Sequence, residues 1–339
     1  MAALADSPIV AQAAGLVYVD TDAPGLGRRR VGRGFRYLAP NGKALADEAE
    51  LARIRGLAIP PAWRSVWICP LAEGHIQAIG YDDKGRRQYC YHARFREVRE
   101  EAKFEHLLAF AQALPKLRRR MAKDMAAPGQ GRDKVLATVV SLLESTMVRV
   151  GNPAYARANG SYGLTTLLTR HVKVNGAELK FHFTGKSGKT WRLGVRDRRV
   201  AAVVRRCQEL PGQALFQYVD DEGERQSVTS ADVNAYLKSA TGADITAKDF
   251  RTWAGTVLAA VALARSERPA SATAAKRAVA EAIREVAARL GNTAAICRKC
   301  YVHPRVVDAW LAGEDLLAQR DPVAGLKPEE AAVLALLRG

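Results

Sequence analysis

Cys297 and Cys300 stand in Cys-Arg-Lys-Cys, the spacing of a metal-ligand pair, with His303 just beyond. A structural zinc site needs four ligands, and no second pair occurs among the 5 cysteines. Two thiols on a packed helix is the reading this leaves, and no metal site is expected. The G-x-x-x-x-G-K-[ST], H-E-x-x-H, EF-hand and G-x-S-x-G patterns are absent, so nucleotide hydrolysis and zinc peptidase chemistry lose their usual support. The prominent side chains are cationic. They cluster at Arg28, Arg29, Arg30, Arg33 and Arg36, at Lys84, Arg86 and Arg87, at Lys116 to Lys123, and at Arg196, Arg198 and Arg199. The 52 Lys+Arg against 35 Asp+Glu leave a formal net charge of +17. An excess of that size calls for an anionic partner. Spread along the whole chain instead of along one amphipathic helix, it points to nucleic acid and away from a membrane face.

The elements that must hold these residues have two textures. From Leu16 to about Phe95, short strands alternate with Gly and Pro turns, at Val17–Asp20, Gly34–Ala39, Ser65–Cys69, His75–Tyr81 and Arg87–Ala93. A helix over Asp47–Arg55 interrupts them and stops at Gly56 and Pro60-Pro61. After Glu97 the period becomes helical, with Leu107, Leu108, Phe110 and Leu114 as one stripe and Leu136, Val139, Val140, Leu143 and Met147 as another. Lys123–Asp133, with Pro128, Gly129 and Gly131, reads as a loop. Leu179, Phe181 and Phe183, then Trp191, Leu193 and Val195, alternate with polar residues on either side of Gly185-Lys186-Ser187-Gly188, which predicts a β-hairpin. Helices are expected over 230–239, 248–266, 274–290, up to Tyr301, after Pro304, and from near Pro328. The expected class is α+β, with a small β-rich domain over residues 1–96 and a larger, mainly helical domain carrying the hairpin over residues 97–339.

Trp253–Ala264, the longest apolar stretch, falls short of the roughly 18 to 20 residues that span a bilayer. Asp6 and the lack of Lys or Arg before Arg28 leave no basic start for a secretory signal. A cytoplasmic protein with free thiols is expected.

Gly80-Tyr81-Asp82-Asp83-Lys84-Gly85-Arg86-Arg87-Gln88-Tyr89-Cys90-Tyr91-His92 is a long and specific run. It is followed by Met147-Val148-Arg149-Val150-Gly151-Asn152, Gly160-Ser161-Tyr162-Gly163-Leu164-Thr165-Thr166-Leu167 and Phe183-Thr184-Gly185-Lys186. Lys248-Asp249-Phe250-Arg251-Thr252-Trp253 and Cys300-Tyr301-Val302-His303-Pro304 complete the series. In this order and spacing, over about Gly34 to Trp310, the segments resemble the type IB DNA topoisomerases of poxviruses and bacteria. The resemblance implies cutting of one DNA strand by a tyrosine oxygen that attacks phosphorus in line and expels the 5′ oxygen. The 3′-phosphotyrosyl bond keeps the linkage for religation, so no ATP, metal or other cofactor is required.

That chemistry explains why these residue types are wanted together. A phenol ordinarily titrates near about 10, so its attack at neutral pH needs a strongly electropositive site. Negative charge grows on the non-bridging oxygens, and guanidinium forks stabilise it in a geometry lysine cannot copy. The leaving 5′ oxygen needs a general acid. By resemblance Tyr301 is the nucleophile, Arg149 and Arg251 stabilise the phosphate, Lys186 at the hairpin tip is the acid, and Asn292 donates to a non-bridging oxygen. Poxvirus members carry His where this chain has Asn292, an amide that can still donate. Each residue alone reads as a surface charge or a packed tyrosine, and the joint occurrence carries the assignment.

The resemblance also implies a clamp around duplex DNA, with Lys84, Arg86, Arg87, Gln88, Tyr89 and Tyr91 on the small domain and Tyr155 and Lys248 on the catalytic one as DNA contacts. Asn152 and Ala154 stand where poxvirus members have lysines. Packing on one strand face is the competing reading for Tyr89 and Tyr91. Tyrosine recombinases use a similar set, but with the second arginine in H-x-x-R, whereas Lys248 precedes Arg251 by three here. A basic protein that merely coats DNA would bind without a covalent adduct. The expectation is a bacterial-type, nucleoid-associated monomer that relaxes supercoiled DNA by nicking, strand rotation and religation, with no membrane and no obligatory protein partner.

Overall fold

Five short strands in the first part of the chain build the first sheet, and the run Ile76–Tyr81 is buried along nearly its whole length. A computed structural model describes residues 8–267, 269–318 and 321–339, and of residues 99–103 and 105 the backbone alone. Asp6 lies outside the described residues. The elements here are α1 (Pro8–Ala13), β1 (Leu26–Val31), β2 (Gly34–Leu38), α2 (Glu48–Gly56), β3 (Arg64–Ile68), β4 (Ile76–Tyr81) and β5 (Arg87–Tyr91). The strands form one antiparallel sheet in the order β2-β1-β3-β4-β5. Helix α2 starts at Asp47, whose carboxylate accepts from Ala49 N at 2.9 Å, as an N-cap should. Its Ile54 packs with Leu26, Ile59, Val66, Ile68 and Ala78 in the core of the unit.

Two expectations fail here for physical reasons. Val17–Asp20 is not a strand and makes a single bridge, Val17 with Gly74. The His75 imidazole takes the Val19 amide proton at 3.0 Å and stacks on Tyr18 at 4.1 Å, so a side chain replaces a strand partner. Conversely, β1 was not expected, because its three arginines hide the period of two. Arg28 faces inward, donating to the carbonyls of Ile59, Pro60 and Trp63 at 3.0, 2.9 and 2.8 Å and lying over the Phe35 ring. It stitches the segment after α2 and does not belong to an open basic face.

The chain separates into two compact units, Met1–Glu105 and His106–Gly339. The 34-residue helix α3 (Ala93–Ala126) contains the division. The second unit continues with α4 (Arg132–Thr146), α5 (Pro153–Asn159), β6 (Val172–Asn175), β7 (Glu178–Thr184), β8 (Thr190–Arg196), α6 (Arg198–Glu209), β9 (Gln217–Val219) and β10 (Arg225–Ser227). It ends with α7 (Ser230–Thr241), α8 (Ala247–Ala264), α9 (Ala272–Leu290), α10 (Ala294–Tyr301), α11 (Pro304–Leu311) and α12 (Pro328–Arg338). The α+β class is borne out. The expected hairpin is β7 and β8, widened by β6 into a three-stranded antiparallel sheet. Helix α8 is the spine of the unit and packs against α4, α7, α9, α10, α11 and α12. Among the described residues no helix is long and apolar enough to cross a membrane.

Helices reach into the expected loop from both sides, to Ala126 and from Arg132. The Lys116–Lys123 cluster is largely a packing device. Lys116 donates to Thr241 O at 2.9 Å, Arg118 binds Glu144 and Glu330, and Arg120 binds Asp124 and Asp133. The basic run near Arg198 starts α6, where Asp197 caps the amides of Arg199 and Val200 and the buried stripe is Val200, Ala201, Val203, Val204 and Cys207.

Candidate active site

Helix α4 ends at Thr146, and Met147 turns the chain through a left-handed conformation, φ 57°. Two residues later Arg149 is held by its own backbone, its carbonyl accepting from Leu164 N at 2.9 Å, while Val150 O accepts from Thr165 N at 2.7 Å. This pairing explains two glycines of the motifs. A Cβ on Gly163 would lie 2.5 Å from Arg149 O and 2.6 Å from Gly151 Cα, and Gly151 itself has φ +106°. Only glycine at both positions lets the strands of backbone meet.

Arg149 Nη2 donates to Asn292 Oδ1 at 2.6 Å. Asn292 occupies the short corner between α9 and α10, behind Gly291 in the left-handed region at φ +66°. Its Nδ2 is buried without a hydrogen-bond partner. Arg251 lies on α8, 3% exposed, and donates to Leu290 O at 2.7 Å and to Met147 O. Its Nε is likewise buried and unpartnered. Its guanidinium carbon sits 5.1 Å from the centre of the Tyr301 ring. Burial lowers the Arg251 pKa from its usual value, Tyr301 opposes that shift, and Arg149 adds to it. Arg149, Arg251, Asn292 and Tyr301 are thus brought together, although they come from four separate stretches of sequence.

Tyr301 closes α10 against α8. A Cβ on Gly255 would come within 2.5 Å of Tyr301 O and 3.1 Å of Tyr301 Cβ, so this helix-interior glycine is what lets the two helices touch. Thr256 Oγ1 donates to Tyr301 O at 3.4 Å and accepts from His303 N at 3.2 Å. Gly255 and Thr256 were missed by sequence reading, and the only signal was a glycine inside an apolar helix. One turn before the tyrosine, Cys297 is buried and its thiol is pushed up to about 11 by burial, with Arg251 opposing. All five cysteines are free thiols.

Lys186 stands exposed at the tip of the β7–β8 hairpin, in a tight turn whose Ser187 has φ 63°. Trp191, buried, fixes where the hairpin lies. Its ring leaves no room for a Cβ on Gly185 or on Gly291, at 2.6 Å in each case, so the hairpin rests on the corner that carries Asn292. Lys189 Nζ reinforces this at 3.4 Å from Ala288 O.

The expected DNA-contacting residues are mostly open. Lys84, Arg86, Arg87, Tyr89, Tyr155 and Lys248 are exposed, and Gln88 and Tyr91 are half-buried. Tyr91 stacks on Phe95 at 5.6 Å and Tyr89 on Tyr91 at 5.9 Å, so the inner tyrosine packs while the outer one, 43% exposed, stays open to solvent. Asp82 is an organiser that sequence reading left without a role. Its carboxylate accepts from the Lys84 and Arg86 amides at 3.0 Å, from Arg86 Nε at 2.7 Å and from Gln88 Nε2 at 3.0 Å. Arg86 holds its pKa down at about 2. Arg87 donates to Thr21 at 3.1 Å and lies over the Tyr89 ring.

Residues 92–312 match the family model of the eukaryotic DNA topoisomerase I catalytic core, and residues 34–82 match that of the bacterial DNA topoisomerase IB N-terminal domain. The DNA topoisomerase 1B of Acanthamoeba polyphaga mimivirus is 32% identical over 285 residues, covering 82% of this chain and 85% of that protein. The chain belongs to the type IB DNA topoisomerases. The vaccinia virus (strain Copenhagen) DNA topoisomerase 1B is 25% identical over 111 residues, 32% of this chain and 34% of that protein. The monkeypox virus DNA topoisomerase I is 24% identical over 108 residues, with the same coverage. As a type IB topoisomerase the protein is an isomerase whose substrate is DNA. The five chemistry-bearing residues all fall within the 92–312 match, and α12 lies beyond it.

Proposed function

We propose that this enzyme relaxes supercoiled duplex DNA by transient cleavage of one strand through a 3′-phosphotyrosyl intermediate on Tyr301, followed by strand rotation and religation. Tyr301 releases its phenolic proton to water as its oxygen forms a bond to phosphorus, the bond to the 5′ oxygen breaks, and that oxygen leaves with a proton from Lys186. Arg149, Arg251 and Asn292 donate to the non-bridging oxygens as charge builds there. Religation reverses each step, so the phosphodiester energy is retained and no ATP or required metal enters. The observation that carries this reading is the Arg251 guanidinium over the Tyr301 ring, beside two buried donors, Arg251 Nε and Asn292 Nδ2, that find no hydrogen-bond partner within the protein. Buried donors of this kind are costly unless a ligand satisfies them, and a phosphate oxygen does so.

Lys84, Arg86, Arg87, Gln88, Tyr89, Tyr91, Tyr155 and Lys248 supply the contacts to DNA. All five catalytic groups lie on one chain, which supports a monomer with no obligatory protein partner. With a net charge of +17 it works in the cytoplasm at the nucleoid. The test is relaxation of supercoiled plasmid in EDTA without nucleotide, comparing wild type with Tyr301→Phe and denaturing each reaction to trap protein on DNA. Only the wild type relaxes plasmid and becomes attached at a 3′ phosphate. If both proteins shift DNA on a gel and neither relaxes it, the protein merely coats DNA and the proposal fails.

A further inference from the structure

The C-terminal helix α12 carries a carboxylate that a surface helix would not bury. Glu330 is 6% exposed, and both its oxygens meet the guanidinium of Arg118, 212 positions earlier, at 2.8 Å each. The same guanidinium donates to Gly325 O at 2.5 Å and, through Nε and Nη2, to Glu144 Oε1 at 2.8 and 2.5 Å. Every nitrogen of the Arg118 guanidinium is therefore engaged, and it joins three helices, α3, α4 and α12. Such a fork is a directional connector, and a partner lost from it leaves a charge behind. Apolar packing strengthens the same link, because Ala331, Ala332, Val333, Leu334 and Leu336 are buried and α12 lies against α8 and α11.

Glu144 sits in the last turn of α4, and from that turn the chain runs directly into the arm of the active site. Three residues on, Met147 O accepts from Arg251, and two further on Arg149 binds Asn292. One helix end thus feeds both arginines, and Arg118 pins that end to the C-terminal helix.

We propose that Arg118, gripped by Glu330, is a positioning residue that fixes the end of α4 and through it the placement of Arg149 and Arg251. This rests on the reading that those arginines stabilise the scissile phosphate. The C-terminal helix is then part of the catalytic apparatus without touching DNA chemistry itself. Loosening the clasp lets both guanidiniums drift from the phosphate, and misplacement by about 1 Å lowers a rate by about 100-fold.

The experiment compares single-turnover cleavage of a duplex oligonucleotide by full-length wild type, Glu330→Gln, Glu144→Gln and Glu314→Gln. Glu330→Gln and Glu144→Gln cleave roughly 10- to 100-fold more slowly, with noncovalent DNA affinity within about twofold of wild type. Their deficit shrinks to less than about threefold on a substrate whose scissile phosphate is a neutral methylphosphonate, because the arginines then have less charge to meet. Glu314→Gln is the control. It removes an ion-pair fork with Arg305, at 2.7 and 2.9 Å, that does not touch α4, and it cleaves like wild type. Should Glu330→Gln fail to fold by thermal melting, Glu144→Gln reads the same link from the other side. Wild-type rates in both variants overturn the clasp, as does equal slowing on both substrates, which marks a merely structural role. No cleavage by wild type overturns the topoisomerase mechanism itself and the clasp with it.

Discussion

Replacing Gly255 by alanine adds one carbon where α8 meets the end of α10. That carbon would lie 2.5 Å from Tyr301 O, 3.1 Å from Tyr301 Cβ and 3.2 Å from Leu290 Cδ1. Two of these neighbours belong to Tyr301 itself, and backbone cannot swing aside as a flexible side chain does. Reaching ordinary contact distance moves the end of α10 by about 1 Å. Overpacking of this kind costs roughly 1–3 kcal/mol, and the gain in helix propensity from Gly to Ala returns about 1 kcal/mol. The net loss of stability is then about 0–2 kcal/mol, or less than about 8 °C in melting temperature. Cleavage by Tyr301, the nucleophile proposed above, is affected more, because a displacement of about 1 Å costs on the order of 100-fold in rate. The assay is single-turnover formation of the covalent adduct on a duplex oligonucleotide, with thermal melting and noncovalent DNA binding measured in parallel. A folded Gly255→Ala variant that binds DNA but forms adduct about 100-fold more slowly agrees with this geometry. A cleavage rate within about threefold of wild type refutes the role given to the α8–α10 contact.

Asn292→Ala loses roughly 10- to 1000-fold in cleavage while Asn292→His keeps activity, and an unchanged rate for the alanine variant removes Asn292 from the site. Lys186→Ala is slow on an ordinary phosphodiester but close to wild type when the 5′ leaving oxygen is replaced by sulfur, which departs without a proton; persistent slowness on the sulfur substrate denies Lys186 its acid role. His106 lies 3.5 Å from Asp249 in the first turn of α8, and that carboxylate raises its pKa above the usual 6.5. The stabilisation is complete below about pH 6.5 and is lost as pH rises through the raised value, so the melting temperature of wild type falls more between about pH 6 and 8 than that of His106→Gln. Equal slopes in the two proteins contradict the pairing. Asp82→Asn frees Arg86 for phosphate and steepens the dependence of log affinity on log salt by about one, and an unchanged slope speaks against Asp82 as its competitor.

The hairpin was readable because its period of two is unbroken on both sides of Gly185 and Gly188, and β7 and β8 lie where the alternation puts them. Charge obscured other elements. The arginines of β1 and of α6 suggest an open basic surface, yet Arg28 faces carbonyls, and α6 has a full apolar stripe under a cap at Asp197. Arg149, Arg251, Asn292 and Tyr301, which the fold brings together, were picked out through the motifs around them, and Gly151 and Gly163 show why those motifs need their glycines. Neither Gly255 nor the grip of Arg118 on Glu330 could be read in advance. A helix-interior glycine carries little local signal, and a pair 212 positions apart has none until the chain folds. Asp82 was visible in its motif, but its carboxylate's choice of Arg86 and Gln88 depends on how the β4–β5 turn closes.

Identification of the residue that carries the DNA tests the central claim most directly. Wild-type protein is trapped on a duplex oligonucleotide, trimmed with nuclease, digested with trypsin and sequenced by tandem mass spectrometry. The peptide from Cys300 to Arg305 contains one tyrosine, Tyr301, and this account expects it to carry a nucleotide through its 3′ phosphate. A nucleotide on any other residue, or relaxation of plasmid with this peptide unmodified in the trapped reaction, contradicts it.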